Sequence, residues 1–363
     1  MKRHPYTSFL FAATTLLGLS LTAGISRDAH SFAYIFAGET NGVDVVTHAL
    51  GYNGTGGTVT VTVGIDPTSA FAAQMVIPTQ NVVNTWNGLA PTTGNLNPSG
   101  ISGSQVDFES TLLHEVGHSL GIAHPNAASE SGLSGSAQNY TKATDGANDV
   151  FEVNAGADGI IGSADDIRGD DVNLNYFRKS DNNPVNIPGG GLGIVDSTTY
   201  SRDIADLPVG DNYSANGDRA VAAALGFANT EAVMQQGTFF GETQRELTAE
   251  DVAGILYANS GIDEIQGTAD DYNLVLKFLG LDAGADIVVD FDNSQVSFAA
   301  SFSSGVFIGT DHVAITDTSI YFNSGSNWFF NQESNADIDA PDNGILFTIG
   351  LAALGYIRRR KKI

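Results

Sequence analysis

The run His114-Glu115-Val116-Gly117-His118-Ser119-Leu120-Gly121-Ile122-Ala123-His124-Pro125 constrains this chain more than any other stretch. His114 and His118 are four apart, so on a helix both imidazoles share one face, one turn above the other. Two neutral imidazoles so placed can share one zinc ion. Glu115 projects beside them, where it can take a proton from a water at the metal. Gly121 follows one turn later. Glycine tolerates positive φ, so it can end the helix and reverse the chain. That reversal brings His124 back towards the same metal as a third ligand. Three protein ligands leave a fourth position open for water, which marks a catalytic rather than a structural zinc site. The plain alternative is a set of surface histidines on an ordinary helix. The longer pattern HExxHxxGxxH, with Gly121 and His124 in register, argues against it.

As it stands at His114 to His124, the pattern resembles the signature of the metzincin clan of zinc metallopeptidases. Further stretches extend the resemblance. Glu231-Ala232-Val233-Met234-Gln235-Gln236-Gly237 looks like the Met-turn of that clan. The resemblance implies that Met234 lies beneath the zinc ligands as a packed floor; otherwise it is a plain core methionine. Met1 and Met75 precede the zinc helix, which leaves Met234 as the one candidate. Glu246 to Tyr257 resembles the final helix of matrixin catalytic domains, which also opens on Leu-Thr and an acidic pair. Thr248 can cap that helix and Asp251 sits at the capping-box position, with Val252, Ile255 and Leu256 on one side. The chain departs from the family at Pro125, which is like the serralysin branch. It departs again after Met234, where no tyrosine follows nearby and Gln235-Gln236 replaces the matrixin Tyr-Pro. The wall of the substrate pocket therefore does not follow from the resemblance.

The expected fold class is α+β: a metzincin-like catalytic domain, with a twisted mixed sheet, the zinc helix and a C-terminal helix, followed by a small all-β region. The chain divides into a signal peptide at 1–33, a peptidase domain at 34–260 with an insertion at about 126–218, a β-rich region at 261–335, and a sorting tail at 336–363. Lys2, Arg3 and His4 precede an apolar stretch from Phe9 to Leu21, which is short for a membrane anchor and reads as a secretory signal. Cleavage could fall near Thr22 to Gly24 or near Ser31-Phe32-Ala33. Thr58 to Ile65 reads as a strand, and Ala70 to Leu89 has helical apolar spacing with Pro78 placed to start the helix proper. Asp107 can cap the zinc helix, which runs from about Phe108 to Leu120 and buries Leu112, Leu113, Val116 and Leu120. The order strand, strand, long helix, strands, zinc helix is compatible with the N-terminal half of such a catalytic domain, as the resemblance implies.

The acidic balance matters in the insertion. The chain carries a net charge of −25, which repels nucleic acid and anionic lipid. Gly156 to Asp166 and Gly261 to Asp271 share the form G-x-D-x-I-x-G-[S/T]-A-D-D. Asp158, Asp165, Asp166, Asp170 and Asp171 are candidate calcium ligands, the bland reading being an acidic turn before a strand. Asp170 to Arg178 alternates like a strand. The absence of cysteine leaves stability to packing and metal, and excludes a cysteine switch.

Beyond Asp270, six strands are expected: Asn273–Leu279, Asp286–Phe291, Val296–Phe302, Val306–Ile308, His312–Ile315 and Ser319–Phe322, as a small sandwich or appended sheet with His312 on its surface. The tail is Pro341-Asp342-Asn343-Gly344, an apolar run from Ile345 to Ile357, and a basic cluster from Arg358 to Lys362. This layout resembles C-terminal sorting signals handled by exosortase-type transpeptidases of Gram-negative bacteria; a short membrane anchor is the simpler reading. The expected function is that of an exported zinc endopeptidase at the cell envelope, surface or exterior, acting on a protein or peptide substrate. Its processing partners are then a signal peptidase and an exosortase-type enzyme, with transient membrane contact through the tail. The rival is a surface-attached binding or structural protein in which the peptidase fold is an accessory. The intact Glu115 argues against it.

Overall fold

A computed structural model of the chain describes residues 31–36, 45–124, 141–143, 153–154, 157, 166–168, 175–177, 200–201, 219, 228–235, 239–291, 296 and 298–335. The expected signal region up to residue 30 and the expected sorting tail lie outside the described residues, as does most of the expected insertion. Among the described residues no helix is long and apolar enough to cross a membrane.

The first strands are β1 (Ser31–Tyr34), β2 (Val46–His48), β3 (Gly57–Ile65), β4 (Leu96–Asn97), β5 (Val106–Asp107) and β6 (Ile122–Ala123). Short strands follow in the insertion: β7 (Thr141–Ala143), β8 (Val153–Asn154), β9 (Asp166–Arg168), β10 (Asn175–Phe177) and β11 (Tyr200–Ser201). Of the strand expected at Asp170 to Arg178, β10 is the part described. The last group is β12 (Thr243–Gln244), β13 (Tyr272–Leu281), β14 (Ile287–Asp290), β15 (Ala299–Phe307), β16 (His312–Phe322) and β17 (Trp328–Phe329). The helices are α1 (Ala72–Gly88), α2 (Phe108–Ser119) and α3 (Ala249–Asn259).

The α+β class holds. Its central sheet runs β13-β3-β14-β16-β15, and β2 joins β16 beside the β14 edge. All pairs are parallel except β15 with β16. Alternation explains β3: Val59, Val61 and Val63 are buried on one face, while Thr58 and Thr60 are exposed on the other. α1 covers this sheet with Met75, Val82, Val83 and Trp86, and begins at Ala72 with Pro78 inside it, not at its start. The Trp86 indole N–H donates to the Leu113 carbonyl at 3.0 Å, tying α1 to α2. On α2, Leu112, Leu113, Val116 and Leu120 are buried as their spacing requires. Phe108 packs among Phe291, Phe322, Trp328 and Phe330.

One expectation is corrected: the β-rich region does not form a sheet of its own. β3 lies between β13 and β14, so strands from 272–322 complete the sheet that β3 begins. Four strands of the central sheet thus follow α2 in the chain. Burial dictates this. Val61, Val63 and Ile65 need apolar neighbours in register, and Leu276, Ile287 and Val289 respectively supply them. Within this group, the strands expected at His312–Ile315 and Ser319–Phe322 are one strand, β16. Its pleat is interrupted at exposed Thr316 and Asp317, opposite a register shift at Ser304/Gly305. Val306 likewise belongs to β15.

Candidate metal centre

α2 starts where the Asp107 carboxylate accepts the Ser110 N–H at 3.0 Å, and Arg245 holds the same carboxylate at 2.7 and 2.8 Å. The helix ends at Leu120, whose N–H returns to Val116 and Gly117. Gly121 then takes φ +111°, and a Cβ there would lie 2.8 Å from the Thr47 carbonyl oxygen. The chain turns into β6, which pairs with β1 through Ala33 and Ala123. His124 follows directly.

This turn brings all three histidines together. Nε2 of His124 lies 3.0 Å from Nε2 of His114 and 3.0 Å from Nε2 of His118. The other ring nitrogens of two of them face carbonyls: Nδ1 of His114 the Val233 carbonyl at 2.6 Å, Nδ1 of His118 the Ile122 carbonyl at 2.7 Å. Both Nδ1 atoms therefore carry the proton, and both Nε2 atoms present lone pairs to the centre. Burial lowers the pKa of both rings, with His114 adding to the effect on His118, which falls to about 3. Neutral imidazoles with converging lone pairs can hold a metal ion.

Glu115 is buried on the neighbouring position of α2. One carboxylate oxygen takes a hydrogen bond from the Ser301 backbone of β15, and Oε2 is buried without a hydrogen-bond partner. Burial pushes its pKa up to about 8, against that bond. Ser119, one helical turn on, shares a hydroxyl contact of 2.7 Å with Ser301, and Thr318 donates to Ser119 at 3.0 Å. This hydroxyl ladder fixes α2 to the edge of the sheet.

Met234 is fully buried in the turn at 233–234. It packs on α2 so closely that a Cβ on Gly117 would lie 2.3 Å from its Sδ. The capping box expected at Asp251 is present. That side chain has a second task, of which the sequence gives no sign. Asp251 Oδ1 accepts the Met234 N–H at 3.1 Å, and Oδ2 accepts the Val233 N–H at 3.0 Å, alongside the Thr248 N–H and hydroxyl. The Val233 carbonyl in turn faces His114, so α3 positions a metal-site histidine through one carboxylate. Burial pushes Asp251 up to about 6, against the donors that bind its ionised form. Arg219 forks between Glu231 and Glu242, and Asn95 brackets the Glu231 backbone at 3.1 and 2.8 Å. No sequence signal marks either residue.

Of the calcium candidates, Asp166 opens β9, paired with Thr141. Asp158, Asp165, Asp170 and Asp171 lie outside the described residues. In the second copy, Asp263, Asp270 and Asp271 cluster closely enough to hold an ion. Their carboxylates accept backbone N–H groups of Ile262, Ile265 and Gly267. His312, expected on the surface, is buried at 1% exposure, because β2 covers the start of β16.

Gly121→Ala forces a side chain into positive φ and against the Thr47 carbonyl. It should cost about 1–3 kcal/mol and weaken metal binding by displacing His124. Urea denaturation and metal titration of the variant check both.

No family model, curated protein or solved structure matches the chain.

Proposed function

We propose that the protein is an exported zinc-dependent endopeptidase of the metzincin type, matrixin-like in its last helix. The observation that carries this reading is the convergence of three Nε2 atoms beside a buried glutamate that has one unpartnered oxygen. Ligands about 2.0–2.1 Å from a tetrahedral zinc stand roughly 3.3 Å apart, close to the 3.0 Å separations here. His114, His118 and His124 would hold the ion, and its chemistry when bound is Lewis-acid polarisation of a carbonyl and of water.

The protein's own groups do the rest. Glu115 accepts a proton from the attacking water, whose oxygen bonds to the scissile carbonyl carbon. Glu115 then gives that proton to the leaving amine as the C–N bond breaks. Its Ser301 bond fixes the carboxylate, and the positive charge of a bound ion would counter the upward shift that burial causes. Among the described residues β15 pairs with β16 alone, and its free edge can take an extended peptide as an added strand. The proposed setting is the cell envelope, surface or exterior of a Gram-negative bacterium, reached by signal peptidase and exosortase-type processing, with membrane contact through the tail. Casein should be cleaved by the zinc-loaded protein and spared when a chelator removes the ion. Cleavage that persists at full rate in chelator overturns the reading.

A further inference from the structure

Away from the three-histidine centre, β2 and β16 bring His48 and His312 side by side. Both are buried, and their rings stack at 5.2 Å between centroids. His48 Nε2 and His312 Nδ1 are 2.9 Å apart, so one proton lies between them. Stacked rings of Tyr52 and Tyr272 wall off His48 from water. His48 thus occupies His312 Nδ1, and when His312 donates that proton to His48 its own Nε2 is left with a lone pair.

Two carboxylates meet that lone pair. Asp311 Oδ1 is 3.5 Å from His312 Nε2, and Glu264 Oε1 is 3.8 Å from it. These separations are too long for hydrogen bonds. They suit atoms that share a cation, since zinc ligands stand roughly 3.3–3.4 Å apart. All three ligand atoms lie within 4.8 Å of one another. The second oxygen of Glu264 accepts the Tyr257 hydroxyl, which aims the first at His312. Glu264 and Asp311 are partly exposed, so an ion can enter from solvent.

We propose that Glu264, Asp311 and His312 form a second metal site, for a divalent cation of the zinc class, with His48 as the buried partner that sets the His312 tautomer. One imidazole among the ligands selects such an ion over calcium, which takes oxygen alone. The hydrogen-bonded His48 plays the part that a carbonyl or carboxylate plays behind most metal-bound histidines. A bound ion would link the loop after α3 to the start of β16, which pairs with β2, whose Thr47 packs on the Gly121 turn. The site therefore braces the turn that delivers His124. It does not depend on peptidase activity.

The test is zinc content of the full chain after loading and desalting, read by mass spectrometry of the metal. With His114→Ala, His118→Ala and His124→Ala combined, about one zinc per chain should remain. Adding Glu264→Gln and Asp311→Asn should remove it, and in the otherwise wild-type chain those two changes should lower the content from about two to about one. His48→Gln should weaken zinc binding at this site roughly 10–100-fold. A folded triple-histidine variant that holds no zinc overturns the proposal. So does unchanged zinc content in the Glu264→Gln/Asp311→Asn chain, a comparison that stands even if the triple variant fails to fold.

Discussion

Glu115→Gln should keep its fold and its metal while losing peptide cleavage by roughly 10²–10⁴-fold, the usual contribution of a general base. The amide is nearly isosteric with the carboxyl, so packing on α2 is preserved. Its oxygen can still accept the Ser301 N–H. Fold is not at risk, because burial already disfavours the charged form of Glu115 and the amide is neutral. What the amide cannot do is take a proton from water. Steady-state cleavage of a fluorogenic peptide, with zinc content measured on the same sample, separates the two effects. Cleavage at the wild-type rate would place the base elsewhere.

Asp251→Ala should be the most destabilising single change near the site. It removes the acceptor for the Val233 and Met234 N–H groups and for the Thr248 cap, all of them buried. Each buried donor left unpaired costs about 1–3 kcal/mol, so a loss on the order of 3 kcal/mol or more is expected. Function is linked to this through the Val233 carbonyl. That carbonyl holds the His114 ring, and outer partners of metal ligands typically govern 10–100-fold in affinity. Zinc affinity should therefore fall by about that factor. Urea denaturation of metal-free protein isolates the first effect, and competition with a zinc indicator isolates the second. Unchanged zinc affinity in a destabilised variant would mean that Asp251 serves only the helix cap.

Helix α2 is almost wholly legible from sequence. Its cap, its buried side and its glycine exit are local features, each set by residues within a few positions. The capping box at Thr248 and Asp251 was legible for the same reason. What lay hidden is nonlocal. Alternation in Gly57–Ile65 announces a strand but not its partners, and those are more than two hundred residues away. The strands of 272–322 therefore read as a separate unit, although they flank β3. The reach of Asp251 into the Met234 turn, and the burial of His312 under β2, belong to the same class. A carboxylate or an imidazole gives no sequence sign of which distant backbone will meet it.

The most direct test is a peptide library treated with zinc-loaded wild type and His118→Ala side by side, with new amino termini read by mass spectrometry. The wild type should generate new termini that vanish on chelation and return with zinc, and His118→Ala should generate none above background. No new termini from the zinc-loaded wild type, or the same termini from His118→Ala, would contradict the assignment of His114, His118 and His124 as a catalytic zinc centre.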